Sequence, residues 1–200
     1  MLNKTISQLD LSHNKISNSG ARKLAKYLLA SKILTHINLS DNSIHYEGSR
    51  YIAQALKVNK SLRHLNLKLN RIDDKGGAKL CTDLLNNNSQ LESLSLSSNS
   101  LGHQFCESLS EFLKLNRTIR RLDISCNFIE DSNASTLKDS LESNTNIIEV
   151  DVRKNLLSEP VEREINEIVT KNLLHSKNIP YQKVPERKPH LNSYQSYRVH

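Results

Sequence analysis

Apolar residues along this chain follow a pattern that restarts. Ile6, Leu9, Leu11 and Ile16 are set around Asn14, and the same spacing returns over Leu34 to Ile44, Leu62 to Ile72, Leu91 to Leu101, Ile119 to Ile129 and Ile147 to Leu157. The asparagines of the six copies are Asn14, Asn42, Asn70, Asn99, Asn127 and Asn155, in steps of 28, 28, 29, 28 and 28 residues. Within each copy the alternation Leu9-x-Leu11 has the period of a strand, with apolar residues facing inward and the residues between them facing out. A second apolar set follows each Asn: Leu24 and Leu28, Ile52 and Leu56, Leu80 and Leu84, Leu109 and Leu113, Leu137 and Leu141, Ile165 and Val169. Its i, i+4 spacing is helical, so the chain is predicted to be six strand-plus-helix coils.

The motif LxxLxLxxNxL at this period predicts an α/β leucine-rich-repeat solenoid of the ribonuclease-inhibitor-like type, with a parallel sheet on the concave face and helices on the convex face. Parallel strands stack roughly 4.8 Å apart and packed helices roughly 8 to 10 Å, so the two layers must curve. The amide of each Asn, where the chain leaves its strand, is expected to pair with turn backbone that would otherwise be buried unpaired, a structural ladder. Gly20, Gly48 and Gly76 are expected to open the first three helices. Val161, Ile165, Ile168 and Val169 make one apolar stripe among Glu159, Glu162, Arg163, Glu164 and Glu167, which reads as a C-terminal cap. No such cap precedes Ile6, so an exposed N-terminal edge is expected, belonging to a fragment or covered by a partner.

Composition changes this picture little, except at the end of the chain. Of the net charge of +7, a share of +4 lies between His175 and His200, where Pro180, Pro185 and Pro189 stand among Tyr181, Tyr194 and Tyr197. The division expected is a repeat domain over 1–174 and a basic Pro/Tyr tail over 175–200, the tail acting as an extended arm with Tyr anchors. No run of apolar residues suits a membrane span or a signal peptide, so an intracellular chain without membrane contact is expected. Cys81, Cys106 and Cys126 are far apart and form no CxxC pair; reduced core thiols are expected.

The outward strand positions are where a repeat protein meets its partner. They run from Gln8, Asp10 and Ser12 to Glu149, Asp151 and Arg153, small, polar and mixed in sign, without the aromatic platforms that nucleic acid requires. His36 and His64 sit at equivalent positions of adjacent repeats, but two ligands without a third do not make a metal site. Asp10, Asp123 and Asp151 share a column interrupted by Asn38, Asn66 and Ser95, so no acid/base pair of carboxylates is expected. With no phosphate loop, nucleophile elbow or HExxH, neither catalysis nor a cofactor is expected.

Four stretches carry a more specific likeness: Leu9 to Ala25, Leu65 to Leu80 (LNLKLNRIDDKGGAKL), Leu122 to Ile129 and Val150 to Asn172. They resemble the C-terminal repeats of the dynein regulatory complex subunit 5, or T-complex-associated testis-expressed, family over roughly residues 6–174. The resemblance implies a scaffolding subunit of the nexin-dynein regulatory complex in the axoneme of motile cilia and flagella, a cytoskeletal place in the cytoplasm, and coiled-coil subunits as partners, with tubulin a target of the tail. That family has a sizeable region before its repeats, and nothing in this sequence corresponds to it. Exposure and charge select Lys68, Arg121, Arg153 and Lys154 on the concave face and Lys183, Arg187, Lys188 and Tyr194 in the tail as partner-binding residues. A GTPase activator of the Ran type, an actin-capping module like the tropomodulin repeats, and a ribonuclease-inhibitor-like or innate-sensor fragment remain as alternatives.

Overall fold

The computed structural model describes residues 5–85 and 90–181. Six three-residue strands, β1 (Gln8–Asp10), β2 (His36–Asn38), β3 (His64–Asn66), β4 (Ser93–Ser95), β5 (Arg121–Asp123) and β6 (Glu149–Asp151), form one parallel sheet in sequence order. Their central residues, Leu9, Ile37, Leu65, Leu94, Leu122 and Val150, are register partners. Each strand is followed by a helix: α1 (Asn18–Ala30), α2 (Tyr46–Leu56), α3 (Asp73–Leu85), α4 (His103–Leu115), α5 (Asp131–Ser143) and α6 (Glu159–Ser176). The core lies between the layers, where inward strand leucines meet Leu28, Ile52, Leu80, Leu109, Leu137 and Ile165, all fully buried. Because each coil touches only its neighbours, burial falls off at the ends. Ile6 is 42% exposed and Leu9, Leu11, Ile16 and Leu24 are half-buried, whereas Ile37, Leu39, Ile44 and Ile52 in the next coil are buried. In α6, Ile165, Ile168 and Val169 turn inward while Glu159, Arg163 and Glu164 face solvent.

Hydrogen bonding from Asn side chains joins successive coils. Asn70 Nδ2 donates to the carbonyls of Leu39, Leu67 and Lys68, and its Oδ1 accepts the Ile44 N–H. Asn42, Asn99, Asn127 and Asn155 bond the preceding coil in the same way. Asn14 differs: it is exposed and donates only within its own turn, to Leu11 and Ser12. The residue before each of these asparagines has a left-handed backbone, with φ between 53° and 58° at His13, Asp41, Leu69, Ser98, Cys126 and Lys154. A non-glycine residue adopts that conformation only where its surroundings impose it.

At the opposite end of the coils lies a second ladder that the sequence reading missed. Asn59 Nδ2 donates to the Leu28 and Ser31 carbonyls, Asn144 to those of Leu113 and Asn116, and Asn172 to those of Leu141 and Asn144. Asn59 Oδ1 in turn accepts the Ser61 and Leu62 N–H groups that lead into the next strand.

Helix starts are also served from the preceding coil. The three glycines do not open helices as expected but lie within their first turns, because α1, α2 and α3 begin two or three residues earlier. A Cβ on Gly48 would come within 2.7 Å of both Asn18 Oδ1 and Ile44 Cγ2, so the close approach, not the helix start, requires glycine. Gly102, before α4, has no side chain with which to cap; the Asp74 carboxylate takes the N–H groups of Gly102, Gln104 and Phe105 at 2.8–3.0 Å. Asn18 does the same for His45 and Gly48 at the start of α2. Asp74→Ala should therefore lower stability by about 1–2 kcal/mol in urea unfolding, with Asp74→Asn losing less. An unchanged midpoint for Asp74→Ala would mean that water caps α4 equally well.

Candidate functional site

Two hollows stand out on the concave face among the described residues. The first, about 500 Å³, lies over β1 to β4 and is lined by residues including Asp10, His36, Asn38, His64, Asn66 and Ser95. Here the His36 and His64 rings stack face to face, centroids 4.0 Å apart and planes 16° from parallel. Stacked rings aim their nitrogens sideways past each other rather than at one shared point, and the His36 Nδ1 contacts Thr35 Oγ1 at 2.8 Å. Among the described residues no group of three or more His, Cys, Asp or Glu is placed to hold a metal ion. Burial, the neighbouring His36 and Arg121 push the His64 pKa below its ordinary value. Asp10 is held below the usual carboxylate range by the Ser12 hydroxyl and N–H and by the Asn38 amide.

The second hollow, about 360 Å³, is lined by Lys68, Ser97, Asp123, Ser125, Cys126, Asp151, Arg153 and Lys154. Lys68, after β3, lines the same hollow as Asp151 and adds to the lowering of its pKa, after the larger effect of the Arg153 hydrogen bonds. Arg153 forms a two-bond pair with Asp151, at 2.9 Å from Nε and 2.6 Å from Nη2. Of the four concave residues selected from sequence, Lys68, Arg153 and Lys154 thus share one hollow. Arg121 does not line it: it starts β5, in register with Ser93 and Glu149. Lys183, Arg187, Lys188 and Tyr194 lie outside the described residues.

Asp123 and Asp151 are adjacent register partners, so the column does bring two acids together. Both are already occupied: Asp123 accepts the Ser95 hydroxyl at 2.9 Å and the Ser125 hydroxyl at 2.7 Å, while Asp151 is engaged by Arg153. The Arg153 hydrogen bonds favour the charged form of Asp151, which makes it a poor proton carrier.

The sequence reading also passed over the rim beside the second hollow. Phe128 and Leu156 follow the ladder asparagines of adjacent repeats and are 58% and 57% exposed. The corresponding positions Lys15, Ser43, Arg71 and Ser100 are polar, which is the signal that could have found them. Of the thiols, Cys81 and Cys106 are buried, and loss of solvation pushes Cys106 up to about 12, whereas Cys126 is half-buried in the hollow.

Family models described as Leucine Rich repeat match residues 2–25, 30–53, 58–81 and 115–137, and a further one residues 90–112. The chain belongs to the leucine-rich repeat family. No curated protein matches this leucine-rich-repeat chain in sequence. Among solved structures, the Actin-Binding Site 2 of leiomodin-1 is similar at 15% identity and TM-score 0.54, covering 87% of this chain and 84% of that one. The C-terminal domain of tropomodulin from Caenorhabditis elegans is similar at 13% identity and TM-score 0.56, covering 88% and 90%. At such identities the likeness is one of fold.

Proposed function

We propose that this leucine-rich-repeat chain is a non-catalytic protein-binding scaffold of the cytoskeleton, and a structural subunit of the nexin-dynein regulatory complex. The observation that carries the binding role is the second concave hollow, where Lys68, Arg153 and Lys154 meet two acids beside the exposed pair Phe128 and Leu156. Apolar anchors bordered by oriented charges are the arrangement from which protein interfaces draw most of their affinity. The axonemal assignment rests on the sequence resemblance over roughly residues 6–174. In that setting the partners are coiled-coil subunits of the complex, and the basic tail is the segment suited to acidic tubulin.

The experiment is localisation of the chain with crosslinking in a ciliated cell. Capture of regulatory-complex subunits is expected; a diffuse distribution without them would overturn the axonemal reading. Lys68→Glu combined with Lys154→Glu should weaken capture about tenfold or more while leaving thermal unfolding unchanged, since both side chains are exposed. Equal losses of binding and stability would remove the hollow from the interface.

A second reading, an actin-binding module, is favoured by the likeness in fold to the leiomodin-1 Actin-Binding Site 2. Cosedimentation with filamentous actin separates the two.

A further inference from the structure

On the far side of the sheet from the Phe128 rim, where helices hand over to strands, a groove of about 520 Å³ opens between the first and second coils. Its apolar walls are Leu29, near the end of α1, and Val58, just past α2, which are 50% and 61% exposed. Its charged lining residues are Lys32, Lys60 and Arg63, with no Asp or Glu among the residues that line it. Arg63 is fixed in place: its Nη1 donates to the Lys60 and Gln90 carbonyls, and its Nε stands 3.5 Å from Glu92, outside the groove.

The fold explains why such a groove exists here. Leu29 and Val58 follow the buried positions Leu28 and Leu56, where each helix gives way to the loop before the next strand, so their side chains project from the edge of the solenoid. Lys32 and Lys60 occupy the same position of adjacent coils, and Arg117 recurs at that position two coils on. The result is two aliphatic walls under a row of cations. Aliphatic walls offer no stacking surface for bases, and a recess matches an inserted side chain better than a flat lipid surface.

We propose that this groove docks an acidic protein segment that inserts one apolar side chain between Leu29 and Val58 and sets its carboxylates against Lys32, Lys60 and Arg63. Charge complementarity orients the segment and the apolar anchor holds it. The site goes beyond the concave hollow and shares no residue with it, so the chain could hold two partners, or two parts of one, on opposite edges.

The test uses the full chain and a fluorescein-labelled peptide of Glu residues around a central Leu, read by fluorescence anisotropy. Val58→Ser and Lys32→Glu, both at exposed positions, should each raise Kd about tenfold without altering the circular dichroism or the thermal midpoint. Replacing the peptide's Leu by Ser, or its Glu residues by Gln, should have a comparable effect. Equal binding of the Ser peptide, no response to either variant, or displacement of the peptide at equal affinity by a single-stranded oligonucleotide would each overturn the proposal. A response to Lys68→Glu alone would also overturn it, by assigning the peptide to the concave hollow, and would leave the scaffold reading intact.

Discussion

Asn127→Ala is expected to be among the most destabilising single changes in this chain, at about 3 kcal/mol or more, whereas Asn14→Ala should cost less than about 1 kcal/mol. The two residues hold the same place in the repeat and differ in what they serve. Asn127 is 4% exposed; its Nδ2 donates to the Leu96, Ile124 and Ser125 carbonyls and its Oδ1 accepts the Asn99 and Leu101 N–H groups. Truncation leaves buried donors and acceptors from two coils without partners, in a space too confined for water to replace all of them. Asn14 is exposed and bonds only its own turn. Urea unfolding followed by circular dichroism measures both; similar losses would mean that the amides contribute no more than local turn propensity. Asn127→Asp should not rescue, because it keeps the acceptor, loses the donors and brings a charge into a buried site.

Phe105→Ala should lose about 3–5 kcal/mol. Phe105 is the largest fully buried side chain in the chain's described residues, and it lies in α4 against α3. Gly77 of α3 is matched to it: a Cβ there would stand 2.8 Å from Phe105 Cδ2 and 2.6 Å from Leu101 Cδ2. Gly77→Ala is thus an overpacking change in the native protein, and its penalty should shrink when Phe105 is Ala, because one of the two obstructions is gone. A double-mutant cycle by thermal unfolding would show this as coupling between the two sites; strict additivity would mean that the helices do not meet as described. Since stability passes only between neighbouring coils, a cavity in the fourth is also expected to let the two halves of the solenoid melt in separate steps.

The parts of this fold legible in sequence are those written in one coil and repeated in the next. Strands, helices and the Asn14 to Asn155 series all announce themselves by recurrence. The second ladder was equally periodic, since Asn59, Asn116, Asn144 and Asn172 fall on the same period. No apolar motif frames it, so those asparagines read as ordinary loop polarity. What recurrence cannot show is which side chain serves the next coil: Asp74 and Asn18 each cap a helix some thirty residues ahead. The candidate site was half legible for the same reason. Equivalent positions place Asp123 beside Asp151 and His36 beside His64, but only coordinates reveal that the acids are saturated and the rings stacked. Lys68 reads as an exposed cation in the sequence; that it lines one hollow with Asp151, from a strand three places away, shows only in the coordinates.

The row of left-handed residues before the ladder asparagines, His13, Asp41, Leu69, Ser98, Cys126 and Lys154, joins a rigid backbone to chemical freedom. The asparagine that follows fixes the turn, so the fold asks almost nothing of these side chains beyond tolerating a positive φ. They comprise an imidazole, a carboxylate, an aliphatic group, a hydroxyl, a thiol and an amine, and His13 already reaches Asp41 at 2.8 Å across one step of the row. Such a row works like a keyboard with fixed spacing and interchangeable keys: related chains can acquire new recognition by changing letters there one at a time, with the interior left as it is.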